Sequence, residues 1–312
     1  MAILLTAFFT VLVLLLVAAG GFILKKRDMV SDACIPGFSK VLLFICQPCL
    51  AVYTFCEAEY SAESVKRMLI FAGLLLVVFL LMLGSAFLVL RRKYEKPIYR
   101  ILTIATTFSN AAFFGIPVIE ALLPEQASGI IIYTTVFGLT MNIIGWTVGS
   151  AIIANDIKYM SAKKIVLNPA TIAAAVAIVI FAFRIPVPNQ LFSIIQITGK
   201  MCTPLSMLIM GMRLATVNLK KLFSDYRIYV TLAVKQVIMP LVAFLLVFSL
   251  DMIDINLRKA LFITCATPAA SIVLNFSEIV GEGQKEAANL VLLSTISSII
   301  TLPIMMLMLP LI

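Results

Sequence analysis

Histidine is absent from the 312 residues, and charge is scarce: 12% of positions are Asp, Glu, Lys or Arg. Soluble domains carry about 25% charged residues, so this chain has too little polar surface to cover a water-soluble fold. The missing histidine removes the commonest general base and a common metal ligand. No GxSxG, phosphate-binding P-loop or HExxH occurs either. No Asp or Glu stands in the middle of an apolar run, which leaves no pair of intramembrane aspartates for hydrolysis. These absences argue against an enzyme, and nothing in the sequence calls for a cofactor or a metal. The six cysteines do not change that reading. Cys46 and Cys49 form a CxxC, but Pro48 lies between them and no second pair follows, so they read as small buried hydrophobes.

What is present is apolar: 62% of residues are hydrophobic and the mean hydropathy is +1.12. A helix needs about 20 largely apolar residues to cross a bilayer. Runs of that kind, bounded by charge or by Pro and Gly, fall at 3–24, 36–56, 65–90, 98–123, 128–153, 165–184, 188–213, 227–250, 257–279 and 286–310. The expectation is an all-α integral membrane protein of ten helices joined by short loops. No charge precedes Lys25, so the first run reads as a retained helix and not as a cleaved signal. The net charge of +9 does not point to nucleic acid, because the cations cluster in the loops. Seventeen of the 24 Lys and Arg residues fall in or beside the odd-numbered loops and five in the even ones. That bias places the odd loops in the cytoplasm and both termini outside.

The two halves echo one another. Gln47-Pro48 in the second run and Thr203-Pro204 in the seventh are 156 positions apart. The fourth run holds Asn110 and Pro117; the ninth holds Pro268 and Asn275. Residues 1–154 and 165–312 therefore read as two five-helix repeats. An odd helix count gives the second copy inverted topology, a pattern of secondary transporters with their site near the midplane.

The residues suited to a site lie in the fourth and ninth runs. Pro117 lacks an N–H and its ring crowds the carbonyl of Phe113, and Gly115 weakens the helix further, so the fourth run should break near its middle. In lipid the freed polar groups need protein or a wet cavity. The ninth run has the same ingredients in Thr267, Pro268, Ser271 and Asn275, with small residues that let backbones approach. Two broken helices crossing there would aim half-helix N-termini, with their partial positive charge, at a carboxylate. A lone Pro kink is usually structural; two at corresponding places, each with an intramembrane Asn, favour a site. Lys200 and Lys235 are the cations inside apolar runs, and intramembrane charge marks function by default. Lys200 lies mid-run, while Lys235 is near enough to one end to snorkel. With Glu120 and Glu278 near run ends, the balance favours an anionic substrate. Thr106 and Ser109 supply hard oxygens that could serve a coupling ion.

Asn110-Ala111-Ala-Phe113-Phe-Gly115-Ile-Pro117, followed by Val118-Ile119-Glu120, resembles the auxin efflux carrier family, whose bacterial members include malate- and malonate-permease-like proteins. Leu167-Asn168-Pro169, Thr203-Pro204 with Met210-Gly211, and the stretch Leu293-Ser294-Thr295 through Leu302-Pro303 resemble it too. The resemblance implies the inverted-repeat fold shared with bile-acid-type sodium symporters. It also implies scaffold and transport subdomains moving in an elevator-like way, a crossover site at the fourth and ninth helices, and a homodimer in the cell membrane. The expected cargo is a small mono- or dicarboxylate, moved with H+ or Na+ or by the membrane potential alone. Asn110, Ala111, Phe113, Gly115 and Pro117, with Thr267, Pro268, Ser271, Asn275 and Lys200, are the expected substrate-binding residues. The long hydrophilic loop of the plant members is missing, with about ten residues between the fifth and sixth runs. The alternatives are a sodium-coupled carrier of an amphipathic anion and a membrane sensor that binds without turnover.

Overall fold

The structure is a computed structural model that describes residues 2–58, 60–160, 163, 166–216 and 225–312. Among the described residues the regular structure is helical, with one isolated β-bridge. Helix α1 is Ala2–Lys26, α2 Cys34–Cys56 and α3 Ala62–Lys93. The fourth run is split into α4, Pro97–Ala105, and α5, Ala111–Leu122. Then come α6, Pro124–Ala154, α7, Pro169–Ala182, α8, Asn189–Thr216, and α9, Tyr226–Phe248. The ninth run is again split, into α10, Ile255–Ala266, and α11, Ile272–Val280; α12, Gln284–Leu311, closes the chain. Seven of these helices are long and apolar enough to cross a membrane, and the shorter apolar helices include α5 and most of α7. The expected start of the second repeat at 165, and Lys164, Lys220 and Lys221 of the loop-charge tally, lie outside the described residues.

Local chemistry sets the helix ends. Ser61 caps α3 by accepting from the Ser64 N–H at 2.9 Å. Asp254 caps α10 through Asn256 and Leu257 and also pairs with Arg67 Nη1 at 2.6 Å. Asp225 caps α9, and the Arg227 guanidinium hydrogen-bonded to it holds its carboxyl below the usual carboxylate range. Gly281 ends α11 at φ 83°, a left-handed position that favours glycine.

Packing follows small residues. Helices α1 and α8 meet backbone to backbone: a Cβ on Gly211 would lie 1.7 Å from the Ala18 carbonyl, and one on Gly21 would lie 2.1 Å from that of Leu208. Such close approach drives helix association where lipid removes the hydrophobic drive. Helix α7 and the first half of α8 pack on α2; α3 packs on α6, and α9 on α10. Leu80, Val89 and Phe44 are exposed on α3 and α2, as a surface facing hydrocarbon requires.

Three prolines share one local solution. Pro48, Pro117 and Pro240 each stand two residues after a π-turn, at Leu42–Cys46, Ala111–Gly115 and Val234–Ile238. The wider turn makes room for a ring that would otherwise clash with the carbonyl four residues back. This corrects the expected cause of the break in the fourth run. Pro117 is absorbed within α5, and the chain leaves the helix earlier, at Thr106–Asn110.

Candidate functional site at the helix crossover

The two breaks meet. Ser109 and Ala269 form an antiparallel bridge. The Asn110 N–H donates to the Pro268 carbonyl at 2.8 Å, and the Ala270 N–H donates to that of Phe108 at 2.9 Å. Positions 108, 109 and 110 thus pair with 270, 269 and 268, in the order an antiparallel crossing requires. Both segments are buried, so each satisfies backbone groups that the other's missing helical turn leaves open.

The two segments leave the helix for different reasons. Pro268 carries no N–H and cannot continue α10. In the first segment Ser109 and Asn110 favour non-helical backbone. Thr106 spends its hydroxyl on the Thr103 carbonyl at 2.7 Å. Glycines make space around the crossover. A Cβ on Gly145 would come within 2.8 Å of the Phe276 ring, and one on Gly149 within 3.2 Å of Phe108.

The crossover is held from α9 and α12. The Ala269 N–H donates to Ser294 Oγ at 2.7 Å. Gln236 Nε2 donates to the Ser294 carbonyl at 2.5 Å and to its hydroxyl at 3.1 Å. Ser297 and Thr301 donate to Gln236 Oε1 at 2.7 and 3.2 Å. Lys235 is fully buried, and its Nζ donates to the carbonyls of Cys265 at 2.9 Å and Thr267 at 3.0 Å.

Most of the sequence-selected residues gather here. Asn110 is 5% exposed, and its Nδ2 is buried without a hydrogen-bond partner. Ala111 and Phe113 are buried at the start of α5. Gly115 faces Thr267, whose Cγ2 would lie 3.6 Å from an added Cβ. Thr267 and Pro268 are in the ninth-run break, Ser271 is its last residue, and Asn275 is half-buried on α11. Pro117 is half-buried within α5. Ser109 is buried, with its hydroxyl 3.9 Å from Met239 Sδ. Lys200 is elsewhere: it is exposed beside a turn in α8 and stands 5.7 Å over the Tyr53 ring. Lys235 stood out in the sequence as an intramembrane cation without being placed among the substrate-binding residues, and Gln236 and Ser294 were not singled out as binding groups. Its place beside Lys235 inside an apolar run is the signal that could have found Gln236.

The two broken helices cross antiparallel and buried, with helix N-termini at Ala111 and Ile272 beside the crossing, an arrangement known from the midplane sites of secondary transporters. The family model described as membrane transport protein, that of the auxin efflux carriers, matches residues 6–164 and 155–306. The chain belongs to this family. A search of curated proteins finds no match to it. As a member of the membrane transport protein family, the chain is a multi-pass membrane transporter. Its crossover includes Asn110, the first residue of the motif in which the resemblance is strongest.

Proposed function

We propose that this protein is a secondary carrier of a small organic anion, a mono- or dicarboxylate such as malate or malonate, which binds at the crossover. The observation that carries the reading is Asn110 Nδ2, an amide donor buried and unpartnered between two helix breaks. Leaving a buried donor unmade costs about 1–3 kcal/mol, a cost that a bound carboxylate oxygen would remove. The N-termini of α5 and α11 add partial positive charge on the same side of the argument. The Lys235 ammonium, buried and with no carboxylate in salt-bridge range among the described residues, would add a full one.

In this reading the chain comprises ten membrane-crossing units in two inverted repeats, 1–154 and 165–312. The pairing of the fourth-run break, 108–110, with the ninth-run break, 268–270, supports it. Helices α1, α2, α7 and α8 form a scaffold. The remaining helices carry the crossover past it in an elevator-like motion, with both termini outside the cell membrane. The close backbone seam of α1 and α8 suits a rigid scaffold, which also serves homodimer formation.

Purified protein in liposomes, loaded to give a membrane potential of either sign, tests this through uptake of labelled malate and malonate. Saturable flux that follows the potential and falls by about tenfold or more in Asn110→Ala, the loss of roughly one strong hydrogen bond, is the expected result. Flux equal in the parent and the variant would remove the crossover as the binding site.

A further inference from the structure

Lys235 is a buried amine in the core, and among the described residues it has no acidic partner. Its side chain has no exposed surface, and among the described residues no carboxylate lies within 4.0 Å of it. Its two bonds go to main-chain carbonyls at the C-terminal end of α10. These carbonyls are open because Pro268 and the bridge residues after it do not continue the helix. The end of a helix carries partial negative charge, and a pair of carbonyl oxygens is the donor set that a hard monovalent cation would take. The ammonium thus fills a cation position with a group tethered to the fold.

A purely structural cap does not account for it. The other break closes its helix end without a cation: the Leu102 and Ile104 carbonyls accept from the N–H groups of Thr106, Thr107 and Phe108 and that of Thr103 from the Thr106 hydroxyl, and among the described residues no Lys or Arg donates to the last carbonyls of α4. One break therefore stands without an ammonium and the other has one. An ammonium has three donors, and two are used by Cys265 and Thr267. One N–H remains, on the α10 break that is hydrogen-bonded to Asn110. An isolated buried charge is strongly unfavourable until a counter-charge arrives.

We propose that Lys235 is a built-in counter-cation for the transported anion, held where a bound alkali cation would otherwise sit, so that transport runs without sodium. The inference rests on the organic-anion reading of the crossover and adds the identity of the charge that balances the cargo. It assigns the coupling-cation role to a residue of the chain and not to an ion on Thr106 and Ser109.

The test compares the parent with Lys235→Ala and Lys235→Met. Malonate and malate uptake into liposomes is measured in sodium medium and in choline medium, with and without methylammonium chloride. The parent is expected to transport equally in both media. Lys235→Ala should lose about tenfold or more of the flux and recover part of it with methylammonium, which fits the space left by the truncated side chain. In detergent its unfolding midpoint should rise saturably with methylammonium, and the parent's should not. Lys235→Met keeps the length of the side chain without its charge, and should be slow and indifferent to every cation. A parent that needs sodium overturns the proposal, as does Lys235→Met transporting like the parent. Lys235→Ala indifferent to methylammonium in both flux and unfolding midpoint also overturns it. If Lys235→Ala does not fold, the parent in choline and Lys235→Met decide the matter. If the parent moves neither acid, the substrate reading fails, and the midpoint measurement still reads the cation position by itself.

Discussion

Arg213 on α8 and Glu278 on α11 form an ion pair at 2.8 Å, joining the helix seamed to α1 with the half-helix that leaves the crossover. Among the described residues no equivalent closed pair is present in the middle of α8. Lys200 there is an electrostatic neighbour of Glu120 on α5, yet the two are not within 4.0 Å. If the crossover slides along α8 during transport, the Arg213–Glu278 pair must open. Both partners are partly exposed, at 23% and 45%, so the pair is worth at most about 1 kcal/mol. The expected effect is on the cycle and not on folding. Arg213→Gln and Glu278→Gln should each change the malonate flux by a few-fold, about the 1 kcal/mol of the pair, and leave the unfolding midpoint in place. The exchange Arg213→Glu with Glu278→Arg should return the flux toward the parent's. A double exchange no better than the single variants would deny the pair any part in the movement.

Asn110→Ala should separate function from stability. Its Nδ2 is buried without a hydrogen-bond partner, so removing the amide takes away a penalty of up to about 1–3 kcal/mol and no bond made by that nitrogen. The unfolding midpoint is expected to stay level or rise, while malonate and malate binding, followed by the ligand-induced shift of that midpoint, is lost. A variant that unfolds earlier and still responds to ligand would make Asn110 a structural residue.

Much of this site was legible in the sequence, and the reasons differ from residue to residue. Asn110 stood out because an amide in an apolar run needs an explanation, and Pro268 because it removes a helix donor in the same kind of run. The cause of the fourth-run break was misread. Pro117 is accommodated by the π-turn Ala111–Gly115, and a π-turn leaves no mark in composition. Lys200 and Lys235 looked alike as cations inside apolar runs. They differ because α8 turns at Met201 and leaves Lys200 exposed, whereas Lys235 meets the open end of α10. Whether a lysine reaches water or a carbonyl depends on the neighbouring helix, which periodicity does not report. Ser294 was part of the resemblance, but its bond to Ala269 depends on how α12 packs across the break.

Ser294→Ala and Ser297→Ala should differ in cost. Ser294 Oγ accepts the buried Ala269 N–H and a Gln236 donor, so its loss orphans a main-chain donor at the bridge, for about 1–3 kcal/mol. Ser297 supplies one of two donors to Gln236 Oε1, and Thr301 remains at 3.2 Å; its loss costs about 1 kcal/mol or less. Unfolding midpoints in detergent rank the two. Equal midpoints would mean that Ser294 does not hold the crossover in place.

Gly211→Ala tests the seam between α1 and α8. The added carbon would stand 1.7 Å from the Ala18 carbonyl carried by the facing helix backbone, which no side-chain rotation relieves. The two helices must part, and overpacking of this kind costs about 1–3 kcal/mol or more. Gly84→Ala in α3 is the control: an added carbon there meets nothing within 4 Å, and alanine favours a helix interior by about 0.5–1 kcal/mol. The unfolding midpoint should therefore fall in Gly211→Ala and hold or rise in Gly84→Ala. Because α1 also contacts α5 and α12, a parted seam should displace the helices around the crossover and lower malonate flux even below the temperature at which the variant unfolds. A Gly211→Ala protein with the parent's midpoint would show that α1 and α8 can separate freely, and a seam of that kind could not brace a moving crossover.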